Sequence, residues 1–266
     1  MAADGVGGVV ILHDSSDELE GPKMAEVVAE KIRVRIARHE LEAGDPLPSE
    51  TALLDEYSVA RPTMREALRI LESEGLLTVK RGKGGGPRIA VPGVHGVAKQ
   101  AGFLLQVSGT PLRDVLRARR VIEGPAIEDL IALTDPDVLD RLAENVERAR
   151  QLIDDVEAIV ARGTALHDEF HRIVVAAGGG DTLTLFHAVL ERIIGRSSRL
   201  FLGEQVSAKA RRDAYRVTVA AHAKVVAGLR MNDAVAAAVA WNQHLGEVEK
   251  HMLVSLGATR VIDLFG

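Results

Sequence analysis

Residues 47–88, LPSETALLDEYSVARPTMREALRILESEGLLTVKRGKGGGPR, contain two short helical patterns, a tight turn between them and a basic, glycine-rich hairpin. Ser49 is placed to cap the first helix. Pro62 fits the first turn of the second helix, because a helix start does not need the missing N–H. Gly75 is expected to end that helix, and LLTVKR and PRIAV are typical of two strands around a GKGGG tip. This order predicts a winged helix-turn-helix, which places one helix in the DNA major groove.

The second helix of this motif begins near Arg61 and is the predicted reading helix. Arg61 and Arg65 are four residues apart and therefore share one face. A guanidinium on that face can donate twice to guanine O6 and N7, and glycine at the hairpin tip allows close approach to the sugar-phosphate backbone. The alternative for Arg65 is an exposed salt bridge with Glu66 or Glu72. The predicted DNA-binding residues are Ser49, Arg61, Thr63, Arg65, Arg81, Gly82 and Lys83.

The composition sets the class of protein. The 266 residues are enough for two domains with separate cores. Hydrophobic residues make up 47% of the chain but aromatic residues only 3%, which favours packed helices over a β-sandwich. The absence of cysteine excludes disulfides and thiolate metal sites. The opening MAADGVGGVVIL lacks the basic start of a signal peptide, and the apolar run 234–241 is too short to span a bilayer. A cytoplasmic protein with no membrane partner is expected.

The net charge of −5 is unevenly distributed along the chain. Residues 1–21 contain five acidic side chains and no lysine or arginine, whereas residues 58–92 contain seven basic side chains against three glutamates. Positive charge therefore concentrates where the motif would meet DNA. Residues 93–266 carry a net charge of −1, which argues against a third possibility, a broadly basic structural nucleoid protein.

The predicted organisation begins with a disordered tail at 1–21 and a winged helix-turn-helix domain at 22–92. Residues 93–101 form a linker and the start of the first bundle helix, residues 102–256 a helical domain, and residues 257–266 a C-terminal tail. The fold class is mostly α, with the N-terminal winged helix-turn-helix followed by an all-helical bundle of six or seven helices. Helices of the bundle are predicted at 95–107, 111–133, 136–155, 157–177, 181–203, 207–230 and 232–256.

Six of the nine histidines lie between residues 167 and 251. His167 and His171 are at positions i and i+4 of one helix, which is the spacing of helix-borne zinc pairs. His222 lies ten residues before Asn232 and His244 twelve residues after it, so two antiparallel helices around that turn could bring both imidazoles level. From spacing alone, a set of packed or surface histidines is an equally good interpretation.

These motifs resemble the GntR family of bacterial transcription regulators. The elements GDPLPSE, V-x-R-x-x-x-R-E-A-L, L-x-x-E-G-L and RGKGGG match its winged-helix domain over about residues 24–91. Ala60 stands where many members have Ser or Thr, and Thr51 where some carry a base-contacting arginine. The segment from Gly102 to about Leu256 looks like FCD, the helical effector-binding domain of the FadR-like branch. The resemblance implies a homodimer that binds a double-stranded DNA operator, an inverted repeat with GT…AC half-sites.

Members of that branch commonly hold a metal with a D-x-x-F-H pattern and two later histidines. The matching text here is HDEFH, so His167 stands at the aspartate position and His171 at the first histidine. His222 and His244 match the other two. Four neutral imidazoles favour zinc, with nickel as a second possibility, over magnesium or calcium. Asp168 points about 100° away around the helix, so it is expected to support the ligands rather than to replace His167.

The segment 117–127 resembles the family's first sensor helix, and Arg119 matches an arginine four residues before an acidic residue. Near a metal, an arginine grips a carboxylate with two hydrogen bonds, so Arg119 is the predicted effector-binding residue and a small organic acid the predicted effector. The alternative is a structural salt bridge between Arg119 and Glu123. His187 and His251 have no assigned role and are expected at the surface.

The predicted function is a metabolite-responsive DNA-binding transcription regulator, expected to be a repressor and not an enzyme. The alternative is a metal-dependent hydrolase with an accessory DNA-binding domain, because a histidine-rich bundle can also activate water. That alternative needs a general base in the pocket. Glu169 lies beside the histidine pair, but its helical direction does not obviously face the ion.

Overall fold

The computed structural model describes residues 23–80, 82, 86–91, 93–133, 135–201 and 207–256, without the side chains of Lys80, 196–201 and 251–256. Its elements are α1 (Met24–Ala37), α2 (Glu50–Tyr57), α3 (Arg61–Ser73), β1 (Leu77–Lys80), β2 (Gly86–Ile89), α4 (Val94–Val107), α5 (Leu112–Leu133), α6 (Pro136–Arg150), α7 (Val156–Ala158), α8 (Thr164–Gly178), α9 (Gly180–Phe201), α10 (Ala208–Arg230) and α11 (Ala234–Leu256). The tails predicted at 1–21 and 257–266 lie outside the described residues. Within the described ranges, no helix is both long and apolar enough to cross a membrane.

The chain divides near residue 97 into two compact units, each with its own apolar core. In the first unit, the core joins α1, α2, α3 and the hairpin. The Oγ of Ser49 accepts a hydrogen bond from the backbone N–H of Ala52 at 3.2 Å and so caps α2, as predicted. Gly75 follows α3 with a φ of 75°, a conformation that favours glycine. The start of α2 and the end of α3 are therefore set by the two residues that the sequence predicted.

The hairpin pairs β1 with β2 in antiparallel register, with Leu77 opposite Ile89. Residues 44–47 lie along the other side of β2, where the Ile89 N–H donates to the Asp45 carbonyl at 2.9 Å. The predicted winged helix-turn-helix is therefore present, and its wing is supported on both edges of β2.

An ion pair between Arg33 and Glu74 connects α1 to the end of α3. Arg33 donates from Nε to Glu74 Oε2 at 2.8 Å and from Nη2 to Glu74 Oε1 at 2.6 Å. The hydrogen bonds from Arg33 lower the pKa of the Glu74 carboxyl, so this pair stays ionised. Because Glu74 follows the last turn of α3, the pair helps to set the direction of that helix.

The second unit is a helical bundle in which α5, α6, α8, α10 and α11 surround a core that includes the fully buried side chains of Phe170 and Trp241. Helices α5 and α8 approach so closely at Gly178 that a Cβ on this residue would lie 1.9 Å from the Ala126 carbonyl oxygen. The mostly α fold class, with a winged helix-turn-helix before an all-helical bundle, is confirmed.

Two predicted bundle helices differ from the structure. Helix α6 ends at Arg150 rather than at 155, and a turn follows. The Asp155 side chain then accepts from the Ala158 N–H at 2.9 Å and starts a new helix. The predicted continuous helix at 157–177 is divided into α7, a π-helical segment at Ile159–Gly163, and α8.

Candidate metal centre and nucleic-acid interface

Four histidines converge in the core of the helical unit. His167 and His171 belong to α8, His222 to α10 and His244 to α11, and one ring nitrogen of each lies within 4.8 Å of the others. The Nε2 atom of His244 is 3.0 Å from Nε2 of His171 and 3.1 Å from Nε2 of His222. Neighbouring nitrogens around a tetrahedral zinc ion, each about 2.0–2.1 Å from the metal, lie roughly 3.3 Å apart. The two pairs that share His244 are therefore close to the spacing around a single ion, and the nitrogen of His167 lies within 4.8 Å of the other three.

The connection between α10 and α11 brings His222 and His244 level. Asn232 turns the chain with a φ of 52°, and the Asp233 carboxylate caps α11 by accepting from the Ala236 N–H at 2.9 Å. The two helices pack in antiparallel contact, as the sequence spacing around this turn predicted.

Aromatic contacts hold the imidazoles in place. The ring of Phe170 stacks on that of His222 with centroids 3.9 Å apart and planes 8° from parallel. The Trp241 ring lies 4.7 Å from the His171 ring. Because aromatic side chains pack against the rings of His222 and His171, these two imidazoles have few alternative orientations.

Burial keeps the histidines neutral. Removal from water lowers the pKa of His167, His171 and His222 well below the usual value, and lowers that of His244 to about 4. The neutral imidazole has a free lone pair and is the form that binds a metal. The cluster is therefore ready to coordinate an ion near neutral pH.

Glu123 of α5 is a member of the site that the sequence analysis assigned only to a possible salt bridge. Its side chain is 0% exposed, and Oε1 accepts from Arg119 Nε at 2.7 Å. The same oxygen is 3.1 Å from His171 Nδ1 and 2.6 Å from His187 Nε2. Burial opposes ionisation of Glu123, but its interactions with His171 and Arg119 and the hydrogen bond from His187 outweigh burial and lower the pKa well below its usual value.

The prediction that His187 lies at the surface is wrong, because α9 packs against α5 and α8 and turns His187 into the core, where it is 1% exposed. Its helical neighbours gave a usable signal: Leu183, Leu190 and Ile194 lie on the same face. The side chain of His251 lies outside the described part of the chain.

Arg119 is 6% exposed, and the structure contains the salt bridge with Glu123 that was the alternative to an effector contact. Its Nη2 atom is buried and has no hydrogen-bond partner among the described residues. One edge of the guanidinium is thus occupied by Glu123, while Nη2 keeps hydrogen-bonding capacity. The role of Arg119 in effector binding stays a prediction.

The two acidic residues next to His167 point elsewhere. Burial, with a smaller contribution from the neighbouring Glu191 carboxylate, raises the pKa of Asp168 to about 6. Glu169 accepts from Asn145 Nδ2 and from Arg148 Nη1, each at 3.1 Å, and so faces α6. Neither carboxylate belongs to the group of four converging nitrogen ligands.

The predicted reading helix presents its arginines to solvent. Arg61 and Arg65 are exposed in the first turns of α3, and Thr63 between them is half-buried. The Nε atom of Arg65 lies 3.5 Å from Glu50 Oε1, rather than near Glu66 or Glu72, the partners named in the alternative interpretation. This arginine side chain is 67% exposed, so the pair is a weak surface contact that leaves the guanidinium free to turn towards DNA.

At the wing, Gly82 is exposed with a φ of 107°. This conformation is readily adopted only by glycine. Arg81 and Lys83, the other predicted wing contacts, lie outside the described residues. Ser49 is exposed, and its hydroxyl is already used as the cap of α2.

A winged helix-turn-helix with exposed arginines, followed by a helical unit with a buried histidine cluster, defines the class of two-domain DNA-binding regulators. The family model "Bacterial regulatory proteins, gntR family" matches residues 24–85, and the FCD domain model matches residues 114–247. The chain belongs to the GntR family, carries an FCD domain and is a transcriptional regulator.

Relatives and solved structures agree with this assignment. The HTH-type transcriptional repressor NanR of Escherichia coli (strain K12) is 27% identical over 241 residues, which cover 88% of this chain and 86% of that protein. NanR of Cronobacter sakazakii (strain ATCC BAA-894) is 28% identical over 175 residues, and this match spans 64% of that protein's length. The structure of Streptococcus agalactiae GntR shares the fold with a TM-score of 0.62 at 21% identity, covering 85% of this chain and 99% of that chain.

Proposed function

We propose that this chain is a metabolite-responsive transcriptional repressor whose helical domain binds a divalent transition metal and a small carboxylate effector. The observation that carries the proposal is the convergence of His167, His171, His222 and His244 in the core of the FCD domain. A regulator of chromosomal DNA acts in the cytoplasm, and its similarity to NanR repressors supports repression rather than activation.

The donor set favours zinc, with nickel as the second choice. Four neutral imidazole nitrogens suit borderline transition ions, whereas magnesium and calcium require oxygen ligands. When bound, the ion would supply a Lewis-acid position for an anionic group. His167, His171, His222 and His244 would hold it.

A small carboxylate is the effector that the charges support. Arg119 is a buried cation whose Nη2 has no partner among the described residues, and the four ligands bring no negative charge to a divalent ion. A carboxylate between the ion and Arg119 would satisfy both groups. The location in the bundle core favours a compact acid over a long acyl chain.

The DNA-binding end supports an operator with an inverted repeat. Ser49, Arg61, Thr63 and Arg65 lie at or near the start of the helix-turn-helix helices, and Arg81, Gly82 and Lys83 are assigned to the wing. One reading helix covers few bases, so a homodimer with two-fold symmetry would double the contacts.

The hydrolase alternative is not supported. Its candidate general base, Glu169, is engaged by Asn145 and Arg148 of α6 rather than directed at the histidines. The charge distribution and the family membership also argue against a structural nucleoid protein.

Two measurements test the proposal in sequence. Metal content is compared in wild-type protein purified without chelator, in a His222→Ala/His244→Ala variant, and in His95→Ala, an exposed histidine remote in sequence from the cluster. We expect one ion per chain in the wild type and in His95→Ala, and loss of metal from the double variant. Equal metal content in the three proteins would contradict the site.

The second measurement screens small carboxylates against zinc-loaded protein by thermal shift, and then measures operator binding by fluorescence anisotropy with and without the acid found. Coupling of about 1–3 kcal/mol, or roughly 5- to 150-fold in operator affinity, is expected of an allosteric effector. An acid that binds without changing operator affinity would contradict a sensing role for the bundle.

A further inference from the structure

One buried carboxylate links three helices of the bundle. Glu123 of α5 accepts hydrogen bonds at Oε1 from His171 of α8 and His187 of α9. Trp241 of α11 donates its Nε1–H to the Glu123 backbone carbonyl at 2.8 Å. Glu123 is therefore held both through its side chain and through its backbone, at the same depth as the histidine cluster.

This carboxylate decides which ring nitrogen of His171 carries the hydrogen. Arg119 keeps Glu123 ionised, and an ionised carboxylate only accepts hydrogen bonds. His171 Nδ1, 3.1 Å from Oε1, must then donate. The Nε2 atom of the neutral ring is left with a free lone pair, and this is the atom that lies 3.0 Å from Nε2 of His244.

Glu123 also affects the basicity of a ligand ring. The four imidazoles are neutral. Because His167 stands where the D-x-x-F-H pattern has an aspartate, the set of four ligands contains no carboxylate. The carboxylate of Glu123 is one hydrogen bond away from His171, and charge passes through such a contact by making the ring nitrogen more basic. Because Arg119 pairs with Glu123, the contribution of Glu123 to the site is this local hydrogen bond rather than a net negative charge.

We propose that Glu123 is a positioning residue of the metal centre, which orients His171 through Nδ1 and makes its Nε2 a more basic ligand. This inference rests on the proposed function, because it requires that the histidines hold a metal. Glu123 does not itself coordinate the ion, and His187 anchors its carboxylate from α9.

A purely structural role is the competing explanation. Glu123 neutralises the buried guanidinium of Arg119 at 2.7 Å, so its removal leaves an unpaired buried charge and lowers stability whether or not a metal binds. Such a role would change the free energy of unfolding but not the zinc affinity of the folded protein. Zinc affinity under native conditions is therefore the measurement that separates the two explanations.

The experiment compares wild-type protein with Glu123→Gln, Glu123→Ala and the control Glu191→Gln. Glu191 is a second largely buried carboxylate, which pairs with Arg172 at 3.4 Å and makes none of the observed hydrogen bonds to the four histidines. Zinc is added to metal-stripped protein in competition with a chromophoric chelator, and the visible spectrum of bound Co²⁺ reports the geometry of the ligands. Circular dichroism identifies variants that stay folded.

We expect Glu123→Ala to weaken zinc binding by about 10- to 100-fold, the usual effect of losing a partner of a metal ligand. Glu123→Gln keeps an oxygen that can accept from Nδ1 but loses the charge, so about a tenfold effect and an altered Co²⁺ spectrum are expected. Because glutamine has nearly the same shape, this variant decides the question if Glu123→Ala does not fold. Wild-type zinc affinity in Glu123→Gln, matching Glu191→Gln, would overturn the inference. Absence of zinc binding by the wild type would instead overturn the proposed function.

Discussion

Acidification should destabilise the metal-free helical domain, and the size of the effect follows from His244. This side chain is 4% exposed, and burial lowers its pKa from 6.5 to about 4. A histidine with a lowered pKa in the folded state contributes stability that is complete above the unfolded pKa and is lost as the pH falls towards the folded pKa. At about 1.36 kcal/mol per pH unit, lowering the pH from 7 to 5 costs about 2 kcal/mol through His244 alone.

Other groups around the cluster modify this loss. His167, His171 and His222 have pKa values lowered in the same direction and add to it. Asp168 and Glu191 act in the opposite direction, because burial raises the pKa of both carboxyls, that of Asp168 to about 6, and their unfavourable ionisation is relieved as the pH falls. For Asp168, this gain in stability is roughly 1 kcal/mol between pH 7 and pH 5. The four histidines together are expected to lose more stability than the carboxyl groups gain, so a net loss of stability is expected.

The assay uses the single tryptophan of the chain, Trp241, which is fully buried in the helical unit. Urea unfolding of chelator-stripped protein, followed by Trp241 fluorescence at pH 7, 6 and 5, gives the free energy of unfolding at each pH. His244→Phe, which removes one of the titrating rings, should lose about 2 kcal/mol less over this range than the wild type. A stability that stays constant or increases from pH 7 to pH 5 would refute the reasoning.

Three further changes test other parts of the molecule. Arg65→Ala should weaken binding to an operator by about 1–3 kcal/mol, measured by anisotropy, with unchanged helix content; unchanged affinity would mean that α3 does not read bases through this residue. Gly178→Ala should lower the free energy of unfolding by several kcal/mol, because its Cβ would lie 1.9 Å from the Ala126 carbonyl oxygen. In the control Gly195→Ala, the added Cβ meets nothing within 4 Å, and the free energy of unfolding should rise by up to about 1 kcal/mol. Similar urea midpoints for the two variants would contradict the close packing of α5 and α8. Ser49→Ala should cost the DNA-binding unit about 0.5–2 kcal/mol through loss of the α2 cap, measured by thermal unfolding; an unchanged melting temperature would show that the cap is unimportant.

Local signals in the sequence were sufficient for most of the fold. Ser49 and Gly75 act within a few residues of their own position, so their roles as cap and terminator follow from short-range geometry. The i,i+4 pair His167 and His171 is equally local. The proximity of these two rings to the later histidines followed from the turn at Asn232 and the family pattern.

The polar layer behind the histidines was not predicted, because it depends on packing between distant segments. Glu123 is separated from His171 by 48 residues and from His187 by 64. The sequence contained the Arg119–Glu123 spacing, but nothing local indicates that both side chains are buried. The apolar face around His187 favours burial, but its partner Glu123 lies 64 residues away and is not identified by any local pattern.

The π-helical segment was missed for a related reason. Residues 157–177 have continuous helical character, and periodicity does not distinguish an α-helical turn from a π-helical one. A break between 155 and 157 was predicted, but the end of α6 at Arg150 was placed five residues too late, although Asp155 is a residue type that commonly caps helices. A capping residue at the end of the predicted helix 136–155 was therefore the available signal that the helix ends earlier.

Anomalous diffraction at the zinc absorption edge, from crystals of protein purified without chelator, tests the central claim most directly. We predict one peak per chain between α8, α10 and α11, with a nitrogen of each of His167, His171, His222 and His244 at about 2.0–2.1 Å. The His171 ligand atom should be Nε2, with Nδ1 still bonded to Glu123. A metal-loaded crystal without a peak at this position, or with a peak coordinated by other side chains, would contradict the account.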